Sequence, residues 1–272
     1  MEKVTVMVAG LPGKMANLVA KAIASQPDMM LYPYALSEEK GIADVESAVR
    51  VQLVPPEGHE EILLSSRAAI SLIVDFTLPK SVNAHAALYC KVGVPFVMGT
   101  TGGYREKLVK TISGSSISAV VATNMAVPVV MFQEMILFAA KNFSGSLEGF
   151  RLVIKESHQA QKPDPSGTAV SLLDSFATLG MPLKKEQIIM LRDPKAQENV
   201  LNIPKKYLDG HGYHTYTLTS PDGTVLLQFT HNVLGRGVYV DGCLKAIRFL
   251  AKQRSKKGEI FSMIDVLKQT AL

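Results

Sequence analysis

A short loop between a strand-like run and a helical pattern combines a titratable acid with a fixed cation. This loop, residues 156–168, carries an imidazole at His158 and an ammonium at Lys162, four positions later. Two Xaa-Pro pairs stiffen it, because each proline fixes its own φ and keeps its predecessor out of the helical region. Ser166 can cap the helix that follows, and free N–H groups at a helix start favour an anion. Together they predict a site that binds and protonates a carboxylate substrate.

Each of these residues taken alone has a simpler interpretation. A histidine in a loop is often only a solvated residue, and Ser-Gly-Thr is often only the start of a helix. The combination of an acid, a cation and an anion cradle within thirteen positions favours the functional interpretation.

Composition narrows the class of protein. The chain has 272 residues, of which 47% are hydrophobic and 19% charged, which is typical of a soluble globular protein with two domains or one large one. The net charge is +5, but the sequence has no basic stripe with interleaved aromatic residues, so no nucleic-acid partner is expected. No apolar run reaches the roughly 18 residues of a membrane span. Cys90 and Cys243 are expected to be free thiols.

Location and metal binding follow from equally simple observations. The chain enters a strand-like run almost at once, so we expect a cytoplasmic protein, or one of the plastid stroma if a transit peptide has been removed. The histidines outside the loop lack the spacing of metal ligands, and no metal site is predicted. We expect His85, His211, His214 and His231 to be structural or hydrogen-bonding residues, and His59 to lie at the surface.

The beginning of the chain has the pattern of a dinucleotide-binding unit. A continuous apolar run at residues 4–9 is followed by a glycine turn and a helical pattern. Gly10 would permit the tight turn, and Gly13 would let the backbone approach a pyrophosphate at the helix start. The usual third glycine is Ala16, which is still small enough for close packing of helix and strand.

Strand-like runs then alternate with helical patterns up to about residue 125. This alternation predicts a doubly wound parallel sheet, in which ligands lie beyond the carboxyl ends of the strands. Four segments follow such strand ends and are therefore expected to meet. They supply these candidate cofactor-binding residues: Gly10, Leu11, Pro12, Gly13, Lys14, Met15, Phe76, Thr77, Gly99, Thr100, Thr101, Thr123, Asn124 and Met125.

The residues after the second strand should distinguish the two nicotinamide cofactors. An acidic residue there binds the ribose hydroxyls of NAD, whereas small polar or basic residues suit a 2′-phosphate. The sequence Ser37-Glu-Glu-Lys40 contains both signals. Ser37 and Lys40 favour NADPH, and NADH remains open.

The second half of the chain has a different pattern. Strand-like runs lie closer together, and Asp222-Gly223 predicts a hairpin. This indicates an α+β domain with a mixed sheet at residues 127–237, with the site loop after its first strand. The dinucleotide-binding domain is expected at residues 1–126, completed by the helices of residues 238–272. Those helices are expected at residues 238–253 and 259–268.

Residues 156–169 resemble the signature of the dihydrodipicolinate (4-hydroxy-tetrahydrodipicolinate) reductases of lysine, or diaminopimelate, biosynthesis. The likeness extends over nearly the whole chain, to residues 10–15, 75–77, 99–102, 123–125 and 236–242. Bacterial members usually have two adjacent histidines and then Ala-Pro-Ser-Gly-Thr. This chain has His158-Gln159 and one residue fewer before Ser166, which resembles the plant-type branch.

The resemblance implies a reaction and a set of roles. The reaction is the NAD(P)H-dependent reduction of 4-hydroxy-tetrahydrodipicolinate, a cyclic dicarboxylate, to tetrahydrodipicolinate. His158 would be the general acid, for which an imidazole that titrates near neutrality is suited, and the cofactor would carry the hydride. Lys162 would assist protonation and pair with a substrate carboxylate. The implied substrate-binding residues are Gln159, Ser166, Gly167 and Thr168.

The resemblance also implies a homotetramer built on the sheet of the second domain, with the domains closing over the substrate. Two other functions stay open at this point. A reductase-like assembly or scaffold protein without catalysis should have lost the pair of His158 and Lys162, which is intact here. A different dinucleotide-dependent oxidoreductase, such as a small-acid dehydrogenase, is disfavoured by residues 162–168.

Overall fold

A computed structural model describes residues 3–46, 49–253 and 255–270. The domain ranges expected from the sequence, 1–126 and 238–272, include a few residues that lie outside the described ones. The strands of the structure are β1 (Val4–Ala9), β2 (Met29–Leu36), β3 (Gly41–Glu46), β4 (Val49–Val54), β5 (Leu72–Asp75), β6 (Phe96–Met98), β7 (Ala119–Val121), β8 (Arg151–Ser157), β9 (Ile189–Leu191), β10 (His211–Thr219), β11 (Leu226–Leu234) and β12 (Ile260–Phe261). Its α-helices are α1 (Lys14–Ala24), α2 (His59–Ser66), α3 (Val82–Val92), α4 (Arg105–Ser113), α5 (Val127–Asn142), α6 (Gly167–Val170), α7 (Leu173–Thr178), α8 (Pro194–Asn199), α9 (Val238–Lys252) and α10 (Met263–Thr270).

The first of two compact units comprises Met1–Val127 and Tyr239–Leu272. Its eight-stranded sheet has the order β12-β7-β6-β5-β1-β2-β4-β3, and every neighbouring pair except β3–β4 is parallel. The expectation of a doubly wound, mostly parallel sheet is confirmed. β5 and β6 are buried along their whole length, which explains their continuous apolar sequences.

Two parts of this sheet were not expected from the sequence. β3 alternates buried and exposed residues and pairs antiparallel with β4 at the edge of the sheet, so it lacks the continuous apolar run of a central strand. β12 pairs with β7 at the other edge. The expectation of a helix from residue 259 was therefore wrong for its first residues, and α10 begins only at Met263.

His59 is buried, so the expectation that it lies at the surface was wrong. The residue is 5% exposed, and its Nε2 lies 3.1 Å from the carbonyl oxygen of Ser37 and 3.0 Å from that of Val54. Ser37 directly follows β2, and Val54 is the last residue of the neighbouring strand β4. The ring therefore joins two strand ends that are distant from each other in sequence.

The second unit, Pro128–Val238, contains a four-stranded sheet of order β11-β10-β8-β9. β10 pairs antiparallel with β8 and β11, while β8 and β9 are parallel, so the expected mixed sheet is confirmed. The predicted hairpin joins β10 to β11, with Gly223 in the left-handed region at φ 73°. Ile154 on β8 and Tyr216 on β10 pack into one core with Phe176 of α7.

Helix α5 is apolar on more than one face. It buries Val129, Val130, Ile136 and Ala140. Met131, Met135 and Phe138 are nevertheless mostly exposed on the same helix. Within the described ranges, no helix combines the length and the hydropathy that crossing a membrane requires.

Candidate active site

The site loop connects β8 to α6. β8 ends at Ser157, and the Oγ of Ser166 accepts a hydrogen bond of 3.1 Å from the N–H of Ala169, which confirms Ser166 as the cap of the next helix. The helical pattern that follows the loop forms two short helices, α6 and α7, and not one continuous helix. The loop therefore begins and ends on regular elements of the second unit.

Glu156 lies at the centre of the site, with a side chain that is 0% exposed. Its Oε1 accepts a hydrogen bond of 2.6 Å from Arg192, and its Oε2 accepts one of 2.9 Å from the N–H of Ser166. Burial alone would raise the pKa of this carboxyl group, but His214, Arg192 and the Ser166 N–H outweigh it and hold the pKa far below its ordinary value. Glu156 is thus ionised across the physiological range.

His158 contacts this carboxylate through one edge of its ring. Its Nε2 lies 3.5 Å from Oε2 of Glu156 and 3.4 Å from Nε2 of His214. Gln197 donates a hydrogen bond of 2.8 Å to the backbone carbonyl of His158 and so holds the loop at this residue. Burial, and next to it His214, lower the pKa of His158 to about 3, although Glu156 acts in the opposite direction. The free imidazole is neutral, and an anion bound beside it would raise the pKa.

Lys162 is the nearby cation of the loop. Its backbone N–H donates to the carbonyl of Gln159 at 3.0 Å, and its own carbonyl accepts a hydrogen bond of 3.0 Å from Nε of Arg192. These bonds fix the backbone and leave the half-buried ammonium without a carboxylate partner among the described residues. Lys162 can therefore pair with an anion.

The predicted substrate-binding residues differ in accessibility. Gln159 and Thr168 are half-buried, and Gly167 is exposed. Ser166 is 4% exposed, and its hydroxyl group is already 2.6 Å from Nε2 of His214. The backbone N–H of Ser166 is bound to Glu156. Ser166 thus organises the site at least as much as it can contact a ligand.

Four residues of this site were not identified as functional from the sequence. In the sequence, Glu156 was noted only as the first residue of the loop. Arg192, Gln197 and His214 reach the loop from other parts of the chain. The partners of Arg192 and His214 are 36 and 48 positions away along the chain. No local pattern could have indicated these contacts. His214 lies opposite Glu156 because β10 pairs with β8, and this pairing of two distant strands could not be predicted from the sequence.

Three ligand-type atoms of this cluster also lie close enough to surround a cation. The ligand atoms of Glu156, His158 and His214 are all within 4.8 Å of one another. The cationic guanidinium of Arg192 already binds the same carboxylate and would repel a metal ion. In addition, Nδ1 of His214 has no hydrogen-bond partner among the described residues, whereas ligating histidines almost always have one. The arrangement suits proton exchange better than metal binding.

The predicted cofactor segments of the first unit begin at one edge of its sheet. Backbone hydrogen bonds of 2.8–3.0 Å link each segment to the neighbouring strand: Gly10 to Leu36, Phe76 to Ala9, Gly99 to Asp75 and Ala122 to Met98. Gly10 has φ 105°, and a Cβ there would lie 2.4 Å from the carbonyl oxygen of Phe76. A Cβ on Gly99 would overlap the Phe76 ring at 2.2 Å. Only glycine allows these turns to approach each other.

Asp75 holds two of these segments together. This carboxylate is 0% exposed and accepts hydrogen bonds from Thr77, Thr100 and Tyr89, with Nδ1 of His85 at 2.9 Å. Burial would raise the pKa of Asp75, but the contacts with His85 and Thr77 lower it overall. The carboxylate is therefore a structural anchor for Thr77 and Thr100.

The residues after β2 have distinct environments. The hydroxyl of Ser37 is buried, donating to the carbonyl of Leu11 at 2.8 Å and accepting from the N–H of Glu39 at 3.2 Å. Lys40 is exposed. Glu38 forms an ion pair of 3.3 Å with Lys80, and both border a cavity of about 550 Å³ that is also lined by His59 and His85. Lys40 is thus the freer of the two predicted residues.

We expect Glu156→Gln to lower the free energy of unfolding by about 3 kcal/mol near neutral pH, because it leaves the charge of Arg192 without a carboxylate. Since the pKa of Glu156 is lowered on folding, its contribution is complete above its ordinary pKa of 4.5 and is lost as the pH falls towards the folded-state pKa. Denaturant unfolding should therefore give curves for wild type and variant that converge in acid. Exposed Glu148→Gln is the control, and a constant difference at all pH values would contradict the assignment.

The chain matches two sequence families along most of its length. "Dihydrodipicolinate reductase, N-terminus" matches residues 4–125, and "Dihydrodipicolinate reductase, C-terminus" matches residues 128–267. The chain is 42% identical over 272 residues to 4-hydroxy-tetrahydrodipicolinate reductase 2, chloroplastic, of Arabidopsis thaliana, covering 98% of this chain and 78% of the relative. It is 39% identical over 270 residues to a probable chloroplastic 4-hydroxy-tetrahydrodipicolinate reductase of Oryza sativa subsp. japonica, covering 97% and 78%.

Solved structures have the same fold. A dipicolinate-bound dihydrodipicolinate reductase from Paenisporosarcina sp. TG-14 superposes with a TM-score of 0.67 at 20% identity, covering 97% of this chain and 98% of that one. An engineered D-amino acid dehydrogenase bound to NADP+ has a TM-score of 0.53 at 13% identity, with coverage of 97% and 94%. At sequence identities of 20% and 13%, these two superpositions show a shared fold only.

Proposed function

The chain belongs to the dihydrodipicolinate reductase family, and on that premise we infer the roles of its residues in the reaction. It is an oxidoreductase that reduces 4-hydroxy-tetrahydrodipicolinate to tetrahydrodipicolinate with NAD(P)H, in lysine biosynthesis. The observation that carries the mechanism is His158 held beside Glu156 and His214, four residues before the ammonium of Lys162. One loop thus carries both a proton donor, His158, and a cation that can pair with a substrate carboxylate, Lys162.

The reaction removes the 4-hydroxyl group as water and adds one hydride and one proton. The nicotinamide cofactor supplies the hydride when it is bound. His158 supplies the proton as general acid. The free imidazole is neutral, since its pKa is about 3, but two substrate carboxylates beside it would favour the imidazolium. His158 would therefore acquire its proton together with the substrate.

The substrate is a cyclic dicarboxylate, and we assign its carboxylates to the loop. Lys162 pairs with one of them and so positions the substrate ring for protonation. Gly167 and Thr168 hold a carboxylate through backbone and hydroxyl donors, with Ser166 and Gln159 beside them. The exposure of Gly167 supports this role, since among the described residues outside its own helical turn no atom lies within 4 Å of the position where its Cβ would be. The dipicolinate in the related structure is a ligand of the same chemical class.

We assign the first unit, Met1–Val127 with Tyr239–Leu272, to cofactor binding and the second unit to substrate binding. The cofactor is a nicotinamide dinucleotide. We propose that its phosphates and rings contact the strand-end residues: Gly10, Leu11, Pro12, Gly13, Lys14, Met15, Phe76, Thr77, Gly99, Thr100, Thr101, Thr123, Asn124 and Met125. The common sheet edge from which these segments start supports this assignment.

We propose NADPH as the preferred form, with Lys40 as a partner of its 2′-phosphate and Ser37 shaping the turn. Lys40→Ala should raise the KM for NADPH about tenfold and leave the KM for NADH unchanged, because only NADPH loses a charge-assisted contact. Steady-state kinetics with both cofactors measure this, and exposed Lys107→Ala is the control. Equal changes for both cofactors would remove Lys40 from phosphate recognition.

We also propose a homotetramer built on the sheet of the second unit. Leu226 and Leu227 of β11 are exposed, as are Met131, Met135 and Phe138 of α5, and burial of this apolar surface would stabilise an assembly. Light scattering would give four times the chain mass of 29.5 kDa, whereas the mass of one chain would exclude the tetramer. Of the two expected locations, the plastid stroma is the one that the chloroplastic names of the plant relatives support.

Genetic complementation tests the function as a whole. A bacterial strain without its own 4-hydroxy-tetrahydrodipicolinate reductase requires diaminopimelate for growth. Expression of this chain should remove that requirement, and the variant His158→Ala should not. Failure of the well-expressed wild-type chain would instead favour a non-catalytic, reductase-like protein.

A further inference from the structure

The surroundings of His158 contain a second imidazole for which the reaction as described has no use. Glu156 on β8, His214 on β10 and His231 on β11 are directly opposite one another, so they form one row across three strands. His214 is 3% exposed, and its ring meets that of His158 edge-on at a centroid distance of 5.1 Å. A buried, titratable group thus lies directly behind the proton donor.

The three functional groups form a nearly equilateral triangle. Oε2 of Glu156 is 3.5 Å from Nε2 of His158 and 3.5 Å from Nε2 of His214, and the two nitrogens are 3.4 Å apart. The two facing nitrogens are too close for both rings to be cationic, since like charges at this distance repel strongly. One carboxylate oxygen is equally near to both rings. The geometry therefore accommodates one shared proton.

We propose that His214 is the positioning residue of the general acid, so that His158 and His214 hold a single proton between them beside the ionised carboxylate of Glu156. Without His214, the Glu156 carboxylate would bind the imidazolium of His158 alone and make it a weaker acid. With His214 as a competing partner, the proton on His158 remains easier to transfer. The role assigned to His214 rests on the proposed function of His158.

Three further charged or titratable side chains surround His158 itself, and a substitution at position 214 does not remove any of them. They are Arg192 after β9, Lys162 on the loop, and His211 on β10, whose ring is stacked on that of His158 at a centroid distance of 6.4 Å. Tyr216 and His231 face His214 from β10 and β11. A change in the pH profile on replacing His214 can therefore be attributed to the loss of its own titratable nitrogen.

The variant His214→Gln removes the titratable ring and retains an amide that can bond to Ser166. We expect the plateau value of kcat to fall about threefold, and the alkaline limb of its pH profile to move upward by roughly one unit, because His158 becomes a weaker acid and proton transfer follows Brønsted behaviour. The KM for the cofactor should be unchanged. His231→Gln, in the same row but without contact to His158, should retain the wild-type profile. A His214→Gln enzyme that is folded and has the wild-type profile would overturn the proposal.

A second measurement needs neither turnover nor a folded variant. Histidine ring signals of 15N-labelled wild-type protein, followed against pH with dipicolinate bound, should show His158 and His214 changing at a common midpoint. Independent titration of His158 would contradict proton sharing. If the wild-type chain does not reduce the precursor at all, the proposed function fails, and the ring signals still decide whether the two histidines share a proton.

Discussion

Replacement of His158 by alanine should lower kcat by roughly 10²- to 10⁴-fold, the range expected for loss of a general acid. The imidazole is held by its contacts with Glu156 and His214, and its backbone is fixed by Gln197. Glu156 cannot replace it, because its pKa is held far below the ordinary value and it carries no proton. Steady-state turnover with saturating cofactor measures the loss.

Two controls separate this chemical effect from damage to the fold. Cofactor affinity should be nearly unchanged, because the proposed cofactor residues all belong to the first unit. Gln161→Ala, an exposed position of the same loop, should keep wild-type turnover. Unaltered kcat in His158→Ala would remove His158 from the mechanism, whatever the fate of the other residues.

Replacement of Lys162 by alanine should raise the KM for the dicarboxylate by about ten- to a hundredfold and lower kcat by about tenfold. Both constants change because one side chain is assigned two tasks, pairing with a carboxylate and positioning the ring for protonation. The backbone of Lys162 is held through the carbonyl bond to Arg192 and the N–H bond to Gln159, which alanine retains. Initial rates over a range of substrate concentrations resolve the two constants.

The matched control for this variant is Lys195→Ala, which removes an exposed lysine on α8 of the same unit. It should have wild-type KM and kcat, which excludes an effect of net charge alone. A Lys162→Ala enzyme with lower thermal stability but normal kinetic constants would assign Lys162 a structural role.

Fold class could be predicted because the central strands carry an unambiguous signal. β5 and β6 are buried on both faces and are therefore continuously apolar, and the glycines at 10 and 99 are required where turns pack together. β3 lies at an edge and β12 has two residues, so neither had to be apolar throughout. His59 was misassigned because its burial depends on the carbonyls of Ser37 and Val54, which only the folded sheet brings together.

The site could be predicted only where it is local in sequence. Residues 156–168 place His158, Lys162 and Ser166 on one loop, and their spacing is visible in the sequence. Glu156 and Lys162 on this loop act on the charge of His158, but two further groups that do so come from elsewhere, Arg192 after β9 and His214 on β10. Such contacts depend on strand pairing between distant segments, for which a single sequence contains no local pattern.

One measurement tests the central claim most directly: oxidation of the nicotinamide cofactor by the purified chain, on addition of freshly generated 4-hydroxy-tetrahydrodipicolinate, for wild type and His158→Ala in parallel. We expect precursor-dependent oxidation of NADPH by wild type and its collapse in the variant, with tetrahydrodipicolinate formed in equal amount to the cofactor consumed. A wild-type protein that binds cofactor but leaves it unoxidised in the presence of precursor would contradict the account.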